Sequence, residues 1–418
     1  MSALERPERS NDPARGHARP QGQRRALLAV AGSQLLVLTL WFSASAAAPQ
    51  LESDWGLSSG ETAGLTLAVQ IGFVLGALGS AALSVADAIP ARRLFLGASI
   101  AGAGANAGLL ALGPGDLEIA FLLRLITGIA LAGVYPSGLK VMAGWFRHGR
   151  GMALGLLVGA LTVGSAGPHL IRGFGFGWRG VLTAASLLAV AGGILMSVLV
   201  EDGPYETGRQ EFSWRQLHSV IGNRGVRLST YGYLGHMWEL YAMWTWTAAF
   251  LSASALEAGR GDGFVPTATF LVIAIGGLGA WLAGIAADRK GRTLVAGSSM
   301  AISGSCALVT PLIFGLTPWL VIPVFLVWGF AVVADSAQFS AMVTETAADA
   351  YRGTALTLQT AVGFLLTLVT IRGVPILADA WGWRWAFPWL ALGPALGILA
   401  MIRLKRAPEA VRLAGGLG

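Results

Sequence analysis

Three ionisable side chains stand inside long apolar stretches of the sequence: Arg124, Glu239 and Asp335. At mid-depth in a bilayer such a group costs at least about 2.5 kcal/mol, so each needs a partner or a task. Around the second of them the chain reads Gly235-His236-Met237-Trp238-Glu239 and runs on to Tyr241, Trp244 and Trp246. His236 and Glu239 are three apart, hence on one helix face, where they can bond or pass a proton. A low-dielectric surround favours the neutral form of a carboxylic acid, the form a proton carrier must reach. Glu239 is therefore the leading proton-coupling candidate, with His236 beside it and Asp335 as a second protonatable group. The competing reading of Glu239 is a structural acid held between two helices. Arg124 can hold an anionic substrate or approach a proton-carrying acid; equally, it can tie helices together through their backbone carbonyls. Trp238, Tyr241 and Trp244 suit an aromatic wall for a bound solute, while Trp246 suits an interfacial anchor. Gln338 follows Asp335 by about one turn. Gln34, Trp41, Tyr135 and Gln359 complete the candidates for lining a substrate site.

The elements that must carry these residues follow from composition. Of 418 residues, 54% are hydrophobic and 12% charged, with a mean hydropathy of +0.63. A soluble domain carries about 25% charged residues, so this chain cannot cover a water-exposed surface. Taking about 20 apolar residues per crossing, the first six spans fall at 26–47, 62–85, 93–112, 117–140, 151–172 and 179–200. The other six fall at 227–252, 266–287, 294–315, 317–341, 353–375 and 384–403. The runs are too long for barrel strands and do not alternate, so an all-α membrane protein of 12 transmembrane helices is expected. Residues 1–25 are polar and arginine-rich and read as a disordered tail. Residues 201–226 read as a linker between the halves 26–200 and 227–405, and 406–418 as a second tail.

Of the 29 lysines and arginines, 23 lie on one side of this topology and five on the other. That asymmetry puts both termini on the cytoplasmic side of an inner (plasma) membrane. The basic residues come in short clusters between apolar runs, so the net charge of +7 speaks for membrane topology and against nucleic acid. The single cysteine, Cys306, leaves no internal disulfide and no cysteine-built metal site.

Between the eighth and ninth runs stands a basic turn, Gly284 followed by Asp288, Arg289, Lys290, Gly291 and Arg292. A weaker copy, with Asp87, Arg92 and Arg93, lies roughly 200 positions earlier, and other landmarks repeat at nearly that offset. Asp288 can accept charge-assisted bonds or cap the next helix, and Gly291 permits a tight reversal. These turns, the duplicated six-run halves and Arg124-x-x-x-Gly128 in the fourth run resemble the major facilitator superfamily, from Ala26 to Arg406.

The resemblance implies two six-helix bundles around a central cavity, lined by the first, fourth, seventh and tenth spans. Arg124, Glu239 and Asp335 would then each stand on a cavity helix. It also implies that Asp87, Arg92, Arg93, Gly284, Asp288, Arg289, Gly291 and Arg292 hold the halves together on the cytoplasmic side. Two departures matter. The first copy has Pro90 and lacks the turn glycine, and Gly155 to Pro168 is only a near match to the family's antiporter motif. Nitrate and nitrite porters carry arginines in the second and eighth spans, and here neither span has one.

The expected function is proton-coupled secondary transport of a small solute through a central site exposed alternately to either side. A small organic anion fits Arg124 and Lys140; efflux of amphipathic drug-like compounds is the alternative, and a non-transporting receptor a third class. An enzyme would need a nucleophile with its base, or a metal cluster. None of the five histidines pairs with another at ligand spacing, and no nucleotide-binding loop occurs. The expected partners are a small-molecule substrate, protons and the lipid bilayer, with no cofactor and a monomeric chain.

Overall fold

A backbone in hydrocarbon must satisfy its hydrogen bonds within its own segment, which leaves helices as the outcome for runs of this length. The computed structural model describes residues 22–146, 150–205 and 213–418, with only the backbone described at 86, 87, 150 and 151. Most of the expected tail 1–25, and 206–212 of the expected linker, lie outside the described residues. Among the described residues there is no strand. The helices of the first half are α1 (Gln23–Leu38), α2 (Ser43–Trp55), α3 (Ser59–Ala82), α4 (Val85–Ala88), α5 (Ala91–Gly108), α6 (Leu117–Trp145), α7 (Arg150–Gly173) and α8 (Trp178–Leu199). Then come α9 (Leu217–Gly222), α10 (Arg224–Glu257), α11 (Val265–Lys290), α12 (Arg292–Ile313), α13 (Pro318–Ala334), α14 (Ser336–Thr346), α15 (Arg352–Trp381) and α16 (Leu392–Lys405).

Eleven stretches of the described residues are long and apolar enough to cross a membrane. The twelfth expected span, α10, is 34 residues long but carries Arg224, Arg227, His236 and Glu239, so composition alone passes it over. Two spans are broken. The first is α1 and α2 with a turn at 39–42 between them, and it continues to Trp55, past the expected end at 47. The tenth is α13 and α14, interrupted at Asp335.

Local sequence sets several helix ends. Ser58 Oγ accepts from the Glu61 amide (3.3 Å) while Glu61 Oε2 accepts from the Ser58 amide (2.8 Å), a reciprocal cap that starts α3. Asn223 Oδ1 accepts from the Val226 amide (2.9 Å) at the start of α10. Gly291, at φ +93°, reverses the chain between α11 and α12, and a Cβ there would strike the Leu417 and Gly418 carbonyls.

Glycines bring helices into backbone contact, and they do so twice in the same way. In the first half Gly72 and Gly76 of α3 meet α6, and Gly128 of α6 meets the Val69 carbonyl. In the second half Gly276 and Gly279 of α11 meet α13, and Gly329 of α13 meets the Val272 carbonyl. The halves join chiefly where α7 packs on α11 and α3 on α15. Gly159 faces Gly277 across the first of these seams, and Gly155 faces Ala280 and Trp281. The helix face of Gly155 and Gly159 is thus a place of close approach between two backbones.

The glycine crossings set a stability test. Gly128→Val, with no room beside the Val69 carbonyl, should cost at least about 2 kcal/mol and lower the melting temperature of detergent-purified protein by several degrees. Gly79→Val has nothing within 4 Å and should leave melting nearly unchanged. Equal melting of the two variants would show that α3 and α6 are not packed as described.

Candidate functional site

The break in the first span is the geometric origin of the candidate site. Thr39 Oγ1 bonds back to the Leu36 carbonyl (2.7 Å), and the Leu40 and Trp41 amides turn to carbonyls three residues back (both 3.1 Å). Carbonyls released by such a turn need other donors, because a buried carbonyl without one is costly. Arg124 of α6 provides them. Its Nη2 donates to the Trp41 carbonyl (2.7 Å), and its Nη1 to the Leu40 carbonyl (3.2 Å), Ser43 Oγ (3.2 Å) and Asn106 Oδ1 (3.0 Å). Its Nε donates to the Leu65 carbonyl (3.4 Å). Arg124 is fully buried, as are Ser43 and Asn106. Asn106 in turn donates to Ser186 Oγ (3.0 Å) and the Leu182 carbonyl (3.2 Å), so the arginine is held by α2, α3, α5 and, through Asn106, α8. Of the two readings open to Arg124, the geometry favours the cation that ties helices together.

The turn so fixed delivers two aromatic rings to the middle of the molecule. Trp41 lies 5.0 Å from Phe73 of α3, 5.8 Å from Tyr241 of α10 and 5.6 Å from Phe364 of α15, centroid to centroid. Phe42 stacks on Tyr241 (6.2 Å, 16°) and meets Trp244 edge-on at 5.8 Å. Phe73 and Phe364 approach to 4.6 Å. Rings of both halves therefore form one buried layer across the seam, each pair gaining beyond simple area burial. Of the expected aromatic wall, Tyr241 and Trp244 belong to this layer. Trp238 does not: its ring lies 5.1 Å from Trp389 and its indole donates to the Trp389 carbonyl (3.3 Å), on the side of α10 that packs on α16.

The acids find partners across helices rather than along α10. His236 Nδ1 lies 2.7 Å from Asp335 Oδ1, and His236 Nε2 lies 3.1 Å from Ser336 Oγ. Glu239 accepts from Ser303 Oγ of α12 and from the Trp328 indole of α13, both at 2.7 Å. His236 and Glu239 share a helix face as the spacing requires, yet each is engaged by the tenth span and not by the other. Gln338 is drawn away from any substrate position, since its Oε1 accepts from Arg292 Nη1 (3.1 Å). Gln34 and Gln359 are buried with both amide atoms unpartnered, and so is Gln70 of α3, which the sequence reading passed over. Tyr135 of α6 is half-buried. Asn106, Ser303 and Trp328 were also missed; a signal existed for Asn106, the one side-chain amide in the third run.

Two six-span halves, a broken first span and a seam of buried polar and aromatic groups form the pattern against which known proteins can be compared. The family model described as Major Facilitator Superfamily matches residues 30–371. The chain belongs to the major facilitator superfamily. It is accordingly a membrane transporter and not an enzyme. Among solved structures it resembles the crystal structure of a mutant of the nucleoside transporter NupG, with a TM-score of 0.67 at 15% identity, over 91% of this chain and 99% of that one. At that identity the likeness shows the superfamily fold alone. No curated protein matches.

The superfamily's loop motif sits at the α11–α12 turn. Gly284 is buried within α11, while Asp288 and Arg289 are exposed near its end. Arg292 binds Glu345 of α14 through Nε (2.8 Å) and Nη2 (2.7 Å), and lies 3.5 Å from Asp288. In the first copy Arg92 donates to the Val200 carbonyl (2.9 Å) and lies 3.4 Å from Asp202. Arg93 lies on the first turn of α5, and the side chain of Asp87 lies outside the described residues. The contacts named for Arg292 lie within the second half, and those of Arg92 reach the end of the first half and the start of the linker. None of these contacts reaches the opposite half, where the resemblance implied a tie.

The role of Arg124 is open to direct measurement. Arg124→Ala leaves several buried carbonyls without donors, at about 1–3 kcal/mol each, and should lower the melting temperature sharply. Transport of anionic and uncharged solutes should fall by the same factor. A loss confined to anions, with melting unchanged, would restore Arg124 as a substrate anchor.

Proposed function

We propose that the chain is a proton-coupled secondary transporter of a small uncharged polar solute. It works by alternating access to a site between the halves 26–200 and 227–405, and acts as a monomer in the inner membrane with both termini cytoplasmic. The observation that carries the coupling is the buried contact of His236 with Asp335 at the interruption of the tenth span. An acid at a helix break that lies against an imidazole on another helix has a protonation state that bears on how those helices pack. When Asp335 takes up a proton its charge is lost and the attraction to His236 weakens, which loosens α10 from the α13–α14 junction. Ser336, bonded to the other ring nitrogen of His236, holds the imidazole in place through that exchange. Glu239 is the second candidate. Its two donors, Ser303 and Trp328, satisfy either protonation state and make it the more static of the two acids.

The anion expected from Arg124 loses its support, because that guanidinium is taken up by backbone and amide oxygens within its own half. An uncharged solute fits better, and nucleosides belong among the first to be tried, since the solved neighbour is a nucleoside transporter.

The test uses proteoliposomes with an imposed pH gradient and a labelled solute that the wild-type chain accumulates. Asp335→Asn should reduce gradient-driven accumulation at least about tenfold while counterflow exchange persists, the separation expected when only a coupling proton is lost. Glu239→Gln should retain most of the accumulation. Full accumulation by Asp335→Asn together with its loss in Glu239→Gln would transfer the coupling role to Glu239, and retention by both would remove proton coupling from these acids.

A further inference from the structure

The aromatic layer has a polar floor on the side that bears the loop motif, and that floor is made of neutral groups from both halves. Gln34 precedes Trp41 by seven residues, about two turns along the first span, and its amide lies over Gly138 of α6, where a Cβ would sit 3.1 Å from its Oε1. Tyr135 is one turn from Gly138 on the same helix. On the opposite half Gly363 is pressed against the ring of Tyr233, and Gln359 stands one turn before Gly363. Trp41 of the first span and Phe364 of α15 meet at 5.6 Å across the seam, and Gln34 and Gln359 precede these two rings on spans that run in the same direction, which puts both amides on one side of that contact. Gln34 is fully buried and Gln359 is 2% exposed, and neither amide has a partner on either atom.

Three features restrict what could sit there. Buried amides without partners are rare in folded chains, and their usual complement is a ligand or ordered water. The charges nearby are already committed: Arg124 to carbonyls, Glu239 to Ser303 and Trp328, and His236 to Asp335. An ionic solute would therefore enter without a counter-charge, at a large desolvation cost. Trp41 and Tyr241, 5.8 Å apart, belong to the aromatic layer that lies beyond the amides along the first span, and aromatic rings favour a flat π-system over a globular solute.

Resting on the reading of the chain as a transporter with a central site, we infer that the site takes an uncharged, flat heterocycle carrying hydrogen-bond donors and acceptors on its edge. Gln34 and Gln359 read that edge from opposite halves, and Trp41 and Tyr241 cover its face. A glutamine amide offers a donor and an acceptor side by side, matching the paired edge groups of such a ring. Because one glutamine belongs to each half, a solute that bonds both is held best when the halves are closed around it. This would make its edge the element that favours closure.

The experiment is direct binding to the purified full chain, without a gradient, using hypoxanthine and uracil as uncharged heterocycles, benzoate as a flat anion and glucose as an uncharged non-aromatic. Saturable binding of at least one heterocycle is expected, tighter than benzoate or glucose by at least about tenfold, since sites built around buried polar groups reject solutes that leave them unpaired. Gln34→Leu and Gln359→Leu should each weaken it about tenfold, as the loss of an edge contact predicts. Gln34→Asn and Gln359→Asn keep the amide chemistry on a shorter arm and guard against misfolding; each should also weaken binding while melting as the wild type does. Absence of saturable binding by both heterocycles, preference for benzoate, or unchanged affinity in both Leu variants would each overturn the inference. The transport reading stands or falls separately, on gradient-driven accumulation of whichever solute is moved and its response to Asp335→Asn.

Discussion

A single buried guanidinium decides the shape of the centre. The first span turns at 39–42 without proline or glycine, and such a turn in an apolar surround would leave carbonyls exposed to nothing. Arg124 meets two of those carbonyls, a third on α3 and two polar side chains, so one residue converts an unfavourable break into a fixed joint. A lysine could not do this, because its ammonium is a point donor with no planar fork to span several acceptors. Trp41 and Phe42 owe their position to the joint, and the aromatic layer between the halves owes its existence to those two rings.

The buried acids and histidine of the second half are met one by one. His236 meets Asp335, and Glu239 meets two neutral donors. Each costly group is answered from a helix other than its own, so the answer locks the seventh span to the ninth and tenth. For the site proposed between the halves this leaves neutral amides and aromatic rings. In a low-dielectric site such groups discriminate strongly by hydrogen-bond pattern, because any amide left unpaired by a wrong solute keeps its full desolvation cost.

The two halves repeat their scaffold but not their chemistry. The close crossing of α3 with α6 through Gly72 and Gly128 has its counterpart in α11 with α13 through Gly276 and Gly329. Carbonyls placed against glycines set interhelical distance in each half by the same means. The breaks differ: the first span is opened and held by Arg124, while the tenth is interrupted at Asp335 and held by His236. The duplicated frame thus carries one cationic joint and one acidic joint, and of the two only the acidic one can readily change its charge with a proton.

Much of the architecture was legible in the sequence. Hydrocarbon admits few backbone solutions, so twelve apolar runs of helical length, their repeat and the turn glycine at 291 sufficed for class and topology. Even α10, which a strict composition threshold passes over, was read as one of the twelve apolar runs, at 227–252. The costs of Arg124, Glu239 and Asp335 were equally visible, because a price in free energy attaches to residue type and depth alone. Their partners were not. Spacing placed His236 beside Glu239 on one face, but which helix that face meets depends on rotation and packing, and the tenth span took both residues separately. Gln338 stood at the right spacing from Asp335 for a substrate site and was claimed by Arg292 instead. Arg124 could have faced a solute or a set of carbonyls. Nothing in the residues at 39–42 announces a break, so only the folded chain, by opening that turn beneath the guanidinium, could decide between them.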